Sequence, residues 1–327
     1  MTPIRIAVIG VGHLGKIHTR LLAGDEQFEL VGVVDPSAEA RQEMAREHGV
    51  AVFNDFRQLD GKAEAAIVAT PTILHHEVAS HLLQHGVHLL VEKPITTTVT
   101  QANALIQLAS DHGRILQVGH VERFNPAYRV AQQHIEQPRY IESARLAPYT
   151  FRSTDVGVVL DLMIHDIDII LALVNSPVKN INASGVSILS DSLDIANARL
   201  RFENGTVANI TSSRIARNKV RKIKIFQQNM YVTIDFLLGL TEIYRVLDAD
   251  QIDTDAIETV PLDFYGSHKK IVYEKPDISQ FDALEMELSN FIASIMGDET
   301  PIVNGQAGRE ALNVAIKIHD MILEDIH

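Results

Sequence analysis

The chain has no cysteine among its 327 residues. That excludes disulfides, thiolate nucleophiles and cysteine–zinc sites, and it fits a reducing compartment. It also lacks an unbroken bilayer-length apolar run. The longest apolar stretch, around Val156 to Val174, carries Asp161, His165, Asp166 and Asp168, which points to a buried helix with a polar face. The start of the chain does not follow the basic, apolar, small-residue order of a signal peptide, so a cytoplasmic protein is expected. Low-complexity tracts and short internal repeats are missing too. Positive charge is in deficit: a formal net charge of −13 disfavours nonspecific binding to nucleic acid or anionic lipid. Neither is an expected partner, and an anionic small-molecule substrate would need a local basic patch. With 46% hydrophobic and 22% charged residues, the composition is that of a globular enzyme long enough for two domains.

What is present is concentrated at the N-terminus. The apolar strand Ile4-Arg5-Ile6-Ala7-Val8-Ile9 runs into Gly10-Val11-Gly12-His13-Leu14-Gly15, and a second strand, Phe28 to Val34, closes on Asp35. At this spacing Gly10 makes the strand-to-helix turn, Gly12 lets the backbone approach a pyrophosphate, and Gly15 lets helix pack on strand. The helix N-terminus opening at His13 and Leu14 would hold the phosphates. Asp35, about twenty residues past the last glycine, is placed to hold the adenosine ribose hydroxyls. A 2′-phosphate would meet that carboxylate, and Pro36 and Ser37 offer no arginine to offset it, so NAD is expected over NADP. Arg41 keeps NADP open.

Strand and helix patterns then alternate. Helices are expected at Ala38 to His48, with Gly49 as C-cap, at about Leu74 to His85, and at Val99 to His112; strands are expected at Ala65 to Ala69, Val87 to Val91 and Arg114 to Gly119. This alternation predicts an α/β fold, a doubly wound parallel sheet whose ligands bind at the carboxyl ends of the strands. The residues there are Thr70, Pro71, Thr72, Glu92, Lys93, Pro94 and the stretch from His120 to Asn125. From about Val121 the pattern changes. A helix near Asn125 to Gln137, a strand from Tyr140 to Leu146, a long helix from about Asp155 and alternating strands with a hairpin signal at Glu203-Asn204-Gly205 predict a second, largely antiparallel α+β domain. The expected division is 1–122 and 123–327. Helices near Gln280 to Met296 and Gly308 to Leu323 end the chain, one of them a candidate to pack back on the first domain.

Lys93 ends a strand, and Pro94 biases it toward an extended backbone from which its ammonium could reach a cofactor cleft. A lone strand-end lysine is more often a solvated charge. Asp161 and His165 lie four apart in a helical pattern, so a carboxylate can fix the imidazole tautomer and leave the other ring nitrogen to take a proton. The same spacing also describes a helix-stabilising pair. Asp168 reads as structural. His75 could line the adenine side of the cofactor pocket. His81 and His85 have metal-compatible i,i+4 spacing, but no acidic or cysteine partner joins them in a recognisable zinc pattern, and no metal is expected. Arg214, Arg217, Lys219, Arg221, Lys222 and Lys224 form either strand-edge protection or a diphosphate clamp. Arg123 and Arg152 are rival anion contacts.

Together, the glycine turn, Glu92-Lys93-Pro94 and the segment from Asp161 to Asp168 resemble the glucose-fructose oxidoreductase/inositol dehydrogenase/rhizopine catabolism family of two-domain NAD(P) oxidoreductases, over nearly the whole chain. The resemblance implies Lys93, Asp161 and His165 at the catalytic positions and a second domain whose open sheet builds homodimers or homotetramers. Gly119 to Pro126, Arg152 to Asp155 and Lys219 to Phe226 look like the branch that includes UDP-N-acetylglucosamine 3-dehydrogenases. On that resemblance, NAD would be held by Gly10, Gly12, His13, Leu14, Gly15, Asp35, Thr70, Pro71, Thr72, His75, Glu92, Lys93 and Arg123. Substrate would be held by Lys93, Asn125, Arg152, Asp161, His165 and Arg214. The expected activity is hydride transfer between NAD and a secondary hydroxyl of a sugar, foremost a nucleotide sugar. A free-sugar or cyclitol dehydrogenase and a non-catalytic NAD-sensing regulator are the alternatives.

Overall fold

The computed structural model describes residues 2–150, 156–248, 259–261, 269–279 and 281–326. The chain divides into two compact units, Met1–Val121 with Leu284–Asn313, and Glu122–Ala283 with Val314–His327. The first unit takes in Leu284–Asn313 from near the end of the sequence.

In the first unit, β1 (Ile4–Ile9), β2 (Phe28–Val34), β3 (Val52–Phe53), β4 (Ala65–Val68), β5 (His88–Glu92) and β6 (Leu116–Gly119) form a six-stranded sheet in the order β3-β2-β1-β4-β5-β6. Every pairing is parallel. The order reverses between β1 and β4, and crevices for ligands open at such a reversal. Helices α1 (His13–Ala23), α2 (Ala38–His48), α3 (Thr72–Gln84) and α4 (Val99–Asp111) connect the strands. Their ends follow local chemistry. The Ser37 side chain accepts from the Ala40 N–H to start α2, Gly49 ends it at φ 67°, and the Thr98 side chain accepts from the Gln101 N–H to start α4.

This unit reclaims chain from the far end of the sequence. Helix α7 (Ala283–Met296) supplies Leu288, Phe291 and Ile292 to the buried cluster that contains Ile6, Val8, Leu22, Phe28, Met44, Ile67 and Leu90. Burying a side chain such as Phe291 contributes about 1.5–3 kcal/mol, and without it that side of the core would be open to water. The Val118 N–H donates to the Val303 carbonyl at 2.9 Å, so the chain after α7 runs along the edge of β6. Helix α8 (Gly305–Ile326) then begins against β6: a Cβ on Gly308 would lie 2.6 Å from a Val118 methyl. Glycine is required there by close approach.

In the second unit, a nine-stranded sheet runs β14-β15-β13-β12-β11-β7-β10-β9-β8. Its strands are β7 (Tyr140–Leu146), β8 (Val178–Val186), β9 (Ile195–Phe202), β10 (Val207–Ser213), β11 (Val220–Gln227), β12 (Met230–Asp235), β13 (Leu240–Asp248), β14 (Thr259–Pro261) and β15 (Lys269–Glu274). Among the described residues, only β7 and β10 of this sheet pair in parallel. The expected hairpin at Glu203-Asn204-Gly205 joins β9 to β10, with Gly205 at φ 88°. Alternation sorts the faces. Ile223 and Ile225 of β11 and Val232 and Ile234 of β12 are buried on one face, whereas Phe226 and Tyr231 lie half-buried on the other. On that second face Tyr140, Phe226, Tyr231, Tyr244 and Tyr273 form a ladder of rings with neighbouring centroids 4.2–5.9 Å apart. Helix α5 (Pro126–Ala131), capped by Asn125, is shorter than expected, and a 3-10 turn, Gln132–His134, follows it. A π-helical turn, Val159–Met163, leads into α6 (Ile164–Val174). Among the described residues, no helix is long and apolar enough to cross a membrane.

Candidate functional site

The glycine turn can be read atom by atom. Gly10 sits at φ 87°, and a Cβ on it would lie 2.7 Å from the Ala69 carbonyl oxygen. A Cβ on Gly15 would lie 1.8 Å from the Gly10 carbonyl oxygen, so no larger residue fits. Gly12 differs: nothing lies within 4 Å of its added Cβ. It faces open space at the start of α1, where no side chain caps the helix and His13 and Leu14 are exposed. The first N–H groups of α1 are therefore available to a diphosphate, and the open face of Gly12 is the cradle such a group needs.

Asp35, at the end of β2, is held rather than loose. One carboxylate oxygen accepts from the Val11 N–H at 2.9 Å and the other from the Ser37 N–H at 2.8 Å. Carboxylate oxygens have lone pairs beyond these bonds, so the ribose role is sterically and chemically open. Arg41 donates to the Asp35 and Pro36 carbonyls, which binds its fork to the turn and leaves it a poor host for a 2′-phosphate. Next to Asp35 is a cavity of about 150 Å³, also lined by Gly10, Asp55, Phe56, Thr70, Glu77 and Val78. Its three carboxylates favour a dinucleotide without the extra phosphate.

Thr70, Pro71 and Thr72 follow β4, with Pro71 preceding the first helical residue of α3. His75 lies in the first turn of α3. Its ring is buried, with Nδ1 2.9 Å from the Pro94 carbonyl and Nε2 2.8 Å from the Thr70 carbonyl. Burial keeps its pKa below the ordinary histidine value despite these two acceptors. His75 thus braces the loop after β4 against the loop after β5. Glu92 is also turned inward. It is buried and faces His18 Nε2 at 2.9 Å, and its other oxygen lies where a Cβ on Gly119 would be, at 2.7 Å. Lys93 follows it, half-buried, joined to Pro94 by a cis peptide bond.

Sequence reasoning missed the neighbour of Glu92. Glu287 of α7 is fully buried, and neither of its oxygens has a hydrogen-bond partner. Burial first, and the Glu92 carboxylate second, push its pKa well above the ordinary range. No periodicity could have announced it, because 195 positions of sequence separate the two acids and only the return of α7 joins them.

In the second unit, Asp161 lies in the π turn and His165 in the first turn of α6, both half-buried. Single π turns inside helices often mark functional positions. The rest of the polar set supports the helix. Arg145 of β7 donates to Asp166 at 3.0 and 2.7 Å and to Glu122 at 2.9 Å. Burial works against its charge, but the two carboxylates more than offset this and hold its pKa above the ordinary value. Arg123 donates to the Asp168 carbonyl at 3.4 Å and lies 3.8 Å from its carboxylate. Asp168 is buried with Arg123 as a counter-ion. Asn125 caps α5 by accepting from the Ala127 N–H. It also lines a cavity of about 340 Å³ with Phe236, Leu237, Leu238 and Phe281.

The basic cluster does not act as one patch. Arg214 is buried against Asp194 at 2.9 Å and also donates to the Val156 carbonyl and Ser190. Its fork is thus engaged by the protein. Arg221 faces Glu122 at 3.4 Å, Lys222 faces Asp235 at 3.0 Å, and Arg217 and Lys219 are exposed. Arg152 lies outside the described residues.

Residues 4–120 match the oxidoreductase family with an NAD-binding Rossmann fold, GFO_IDH_MocA, and residues 127–232 match the GFO/IDH/MocA C-terminal domain. A UDP-N-acetylglucosamine 3-dehydrogenase from Acidithiobacillus ferrooxidans is 36% identical over 319 residues, covering 97% of each chain. Its crystal structure superposes with a TM-score of 0.88 at 34% identity, covering 100% of both chains. A scyllo-inositol 2-dehydrogenase (NAD(+)) from Bacillus subtilis is 29% identical over 231 residues, 64% of this chain and 67% of its own. A Lactobacillus casei scyllo-inositol dehydrogenase, solved with NAD(H) and scyllo-inositol, shares the fold at a TM-score of 0.79 and 21% identity.

Proposed function

This chain belongs to the GFO/IDH/MocA family of oxidoreductases with an NAD-binding Rossmann fold, and on that premise we propose that it oxidises a secondary hydroxyl of a nucleotide sugar, the 3-hydroxyl of UDP-N-acetylglucosamine foremost. The observation that carries this reading is the likeness to the A. ferrooxidans enzyme along 97% of both chains. NAD supplies the hydride acceptor. The N–H groups opening α1 hold its diphosphate, and Asp35 holds the adenosine ribose. Lys93 polarises the substrate oxygen, His165 takes the hydroxyl proton as the C–H hydride leaves, and Asp161 orients His165. The products are the ketone, reduced NAD and a proton. Asn125 and Arg152 contact the sugar in this reading, and the exposed Arg217 and Lys219 suit its diphosphate.

The partner beyond substrate is a second copy of the chain, in the cytoplasm. The aromatic ladder on the open sheet face supports this, since half-buried rings in a row are apt to be covered by another such face.

The test incubates purified protein with NAD and a panel of UDP-sugars, free sugars and inositols, following absorbance of the reduced nicotinamide together with product mass. Turnover of UDP-N-acetylglucosamine to a product two hydrogens lighter is the expected result. Turnover confined to inositols or free sugars would replace it with the reading favoured by the B. subtilis relative. NAD binding with no turnover on any substrate would leave a sensor. Lys93→Ala and His165→Ala should each lower turnover by about 100-fold or more with NAD affinity near the parent's. Gly12→Ala should fold normally and weaken NAD binding, because its Cβ would enter open space meant for the diphosphate.

A further inference from the structure

A second cluster of chemistry-bearing side chains lies outside these residues, on α3 and the turn that precedes β4. His81 and His85 project from the same face of α3 one helical turn apart, and their rings stack with centroids 4.1 Å apart. Asp60 follows the 3-10 turn Phe56–Leu59, which is fixed by a capping box between Asp55 and Gln58. That turn carries the Asp60 carboxylate onto the two rings. One oxygen lies 2.9 Å from His81 Nε2 and the other 3.6 Å from His85 Nε2. One ligand atom from each of the three residues lies within 4.8 Å of the other two.

The hydrogen bonding at His85 turns proximity into a site. Its Nδ1 lies 2.8 Å from the His81 carbonyl oxygen, which can only accept, so Nδ1 carries the proton. Nε2 then faces the Asp60 carboxylate, where it can ligate a cation lying between the two. A backbone carbonyl fixing one ring nitrogen so that the other can ligate is a recurrent support for metal-bound histidine. The spacing agrees. Two ligands about 2.0–2.1 Å from a tetrahedral zinc ion are roughly 3.3–3.4 Å apart, and the two Asp60–histidine separations of 2.9 and 3.6 Å bracket that value. The edge of Phe56 packs against His81, with centroids 5.3 Å apart, and limits its rotation. Arg57, a cation of the same turn, is paired with Asp55 and Glu77.

We propose that Asp60, His81 and His85 form a binding site for one first-row divalent cation, zinc foremost, with the remaining coordination positions open to solvent. Two imidazoles and one carboxylate are the donor set that zinc and its neighbours accept, whereas magnesium and calcium prefer oxygen alone. The ion would tie the Asp60 turn to α3. Asp55 and Phe56 of that turn, and Glu77 and Val78 of α3, line the cavity beside Asp35. It would therefore hold two walls of that cavity together without taking part in hydride transfer.

The decisive experiment uses the full chain, freed of metal with a chelator, dialysed, and titrated with zinc chloride against a chromophoric zinc indicator. One ion per chain is expected, with affinity lowered about tenfold or more in Asp60→Asn, His81→Ala and His85→Ala and unchanged in His112→Ala, an exposed histidine that ends α4. Cobalt(II) in place of zinc should give visible absorption bands that the three variants lose. Thermal midpoints in chelator, equal among parent and variants, would exclude misfolding as the cause. Binding that persists unchanged in all three variants, or no binding by the parent, would overturn the site. Each result is read without substrate or NAD, so it stands apart from the outcome for sugar oxidation.

Discussion

Both units bury carboxylates, and they do so in opposite ways. In the second unit Arg145 lies between Asp166 and Glu122, so burial of the acids is matched by a cation with directed hydrogen bonds. In the first, Glu92 and Glu287 are buried near one another, with His18 facing Glu92 and no hydrogen-bond partner on either Glu287 oxygen among the described residues. Burial and the Glu92 charge raise the Glu287 pKa well above the ordinary range, so the strand end carrying Lys93 packs near an acid that is hard to ionise, whereas the helix carrying His165 rests on carboxylates with a cation between them.

Removing the cation breaks the contrast most severely. Arg145→Met would leave Asp166 and Glu122 buried without their partner, and a loss of about 3–5 kcal/mol at neutral pH is expected from urea unfolding. Arg221, 3.4 Å from Glu122, tempers that loss, so Arg145→Met with Arg221→Met should be less stable still.

Asp194 offers a smaller version of the paired arrangement. Burial alone would raise its pKa, but N–H groups of Leu189 and Ile188 and the Arg214 guanidinium hold it well below the usual carboxylate range. Stability from such a group is complete above the unfolded value and is lost as pH falls through the folded one. Asp194→Asn should cost about 1.5–3 kcal/mol at pH 7, with the deficit shrinking in acid. Arg214→Lys should lower the thermal midpoint while leaving KM for substrate near the parent's.

Glu287 has the reverse sign and the mildest effect. Its folded pKa is raised, so above the ordinary carboxylate value the native state holds a proton that the unfolded chain has released, and stability falls as pH rises through that window. Glu287→Gln keeps the shape of the protonated acid and removes that slope. Thermal midpoints measured from pH 5 to pH 9 should converge at the acid end and favour the variant increasingly toward the alkaline end. A variant less stable than the parent throughout would mean that Glu287 is ionised in the native state.

Local patterns were legible from the sequence. The glycine turn, the Asp35 terminus of β2, the Gly49 cap and strand β7 depend on neighbours within a turn or two, where periodicity and capping chemistry speak directly. The alternating strands and the Glu203-Asn204-Gly205 hairpin signal likewise pointed to the second unit's largely antiparallel sheet. Partners that only long-range packing selects were not legible: the Thr70 and Pro94 carbonyls that face the His75 ring, and the Asp194 carboxylate that pairs with Arg214. Strand parity also divided the basic cluster, placing Arg221 toward Glu122 and Lys222 toward Asp235. Asp60 lies 21 positions before His81, farther than any local metal motif reaches.

Leu288, Phe291 and Ile292 complete the core around β1 and β4, yet the ribosome makes them only after the entire intervening unit. The cofactor-binding half cannot finish folding as it emerges, although domains ordinarily fold from the N-terminus forward during synthesis. Nascent chains halted before residue 284 would present an uncovered apolar sheet face, a natural substrate for chaperones that guard unfinished polypeptide.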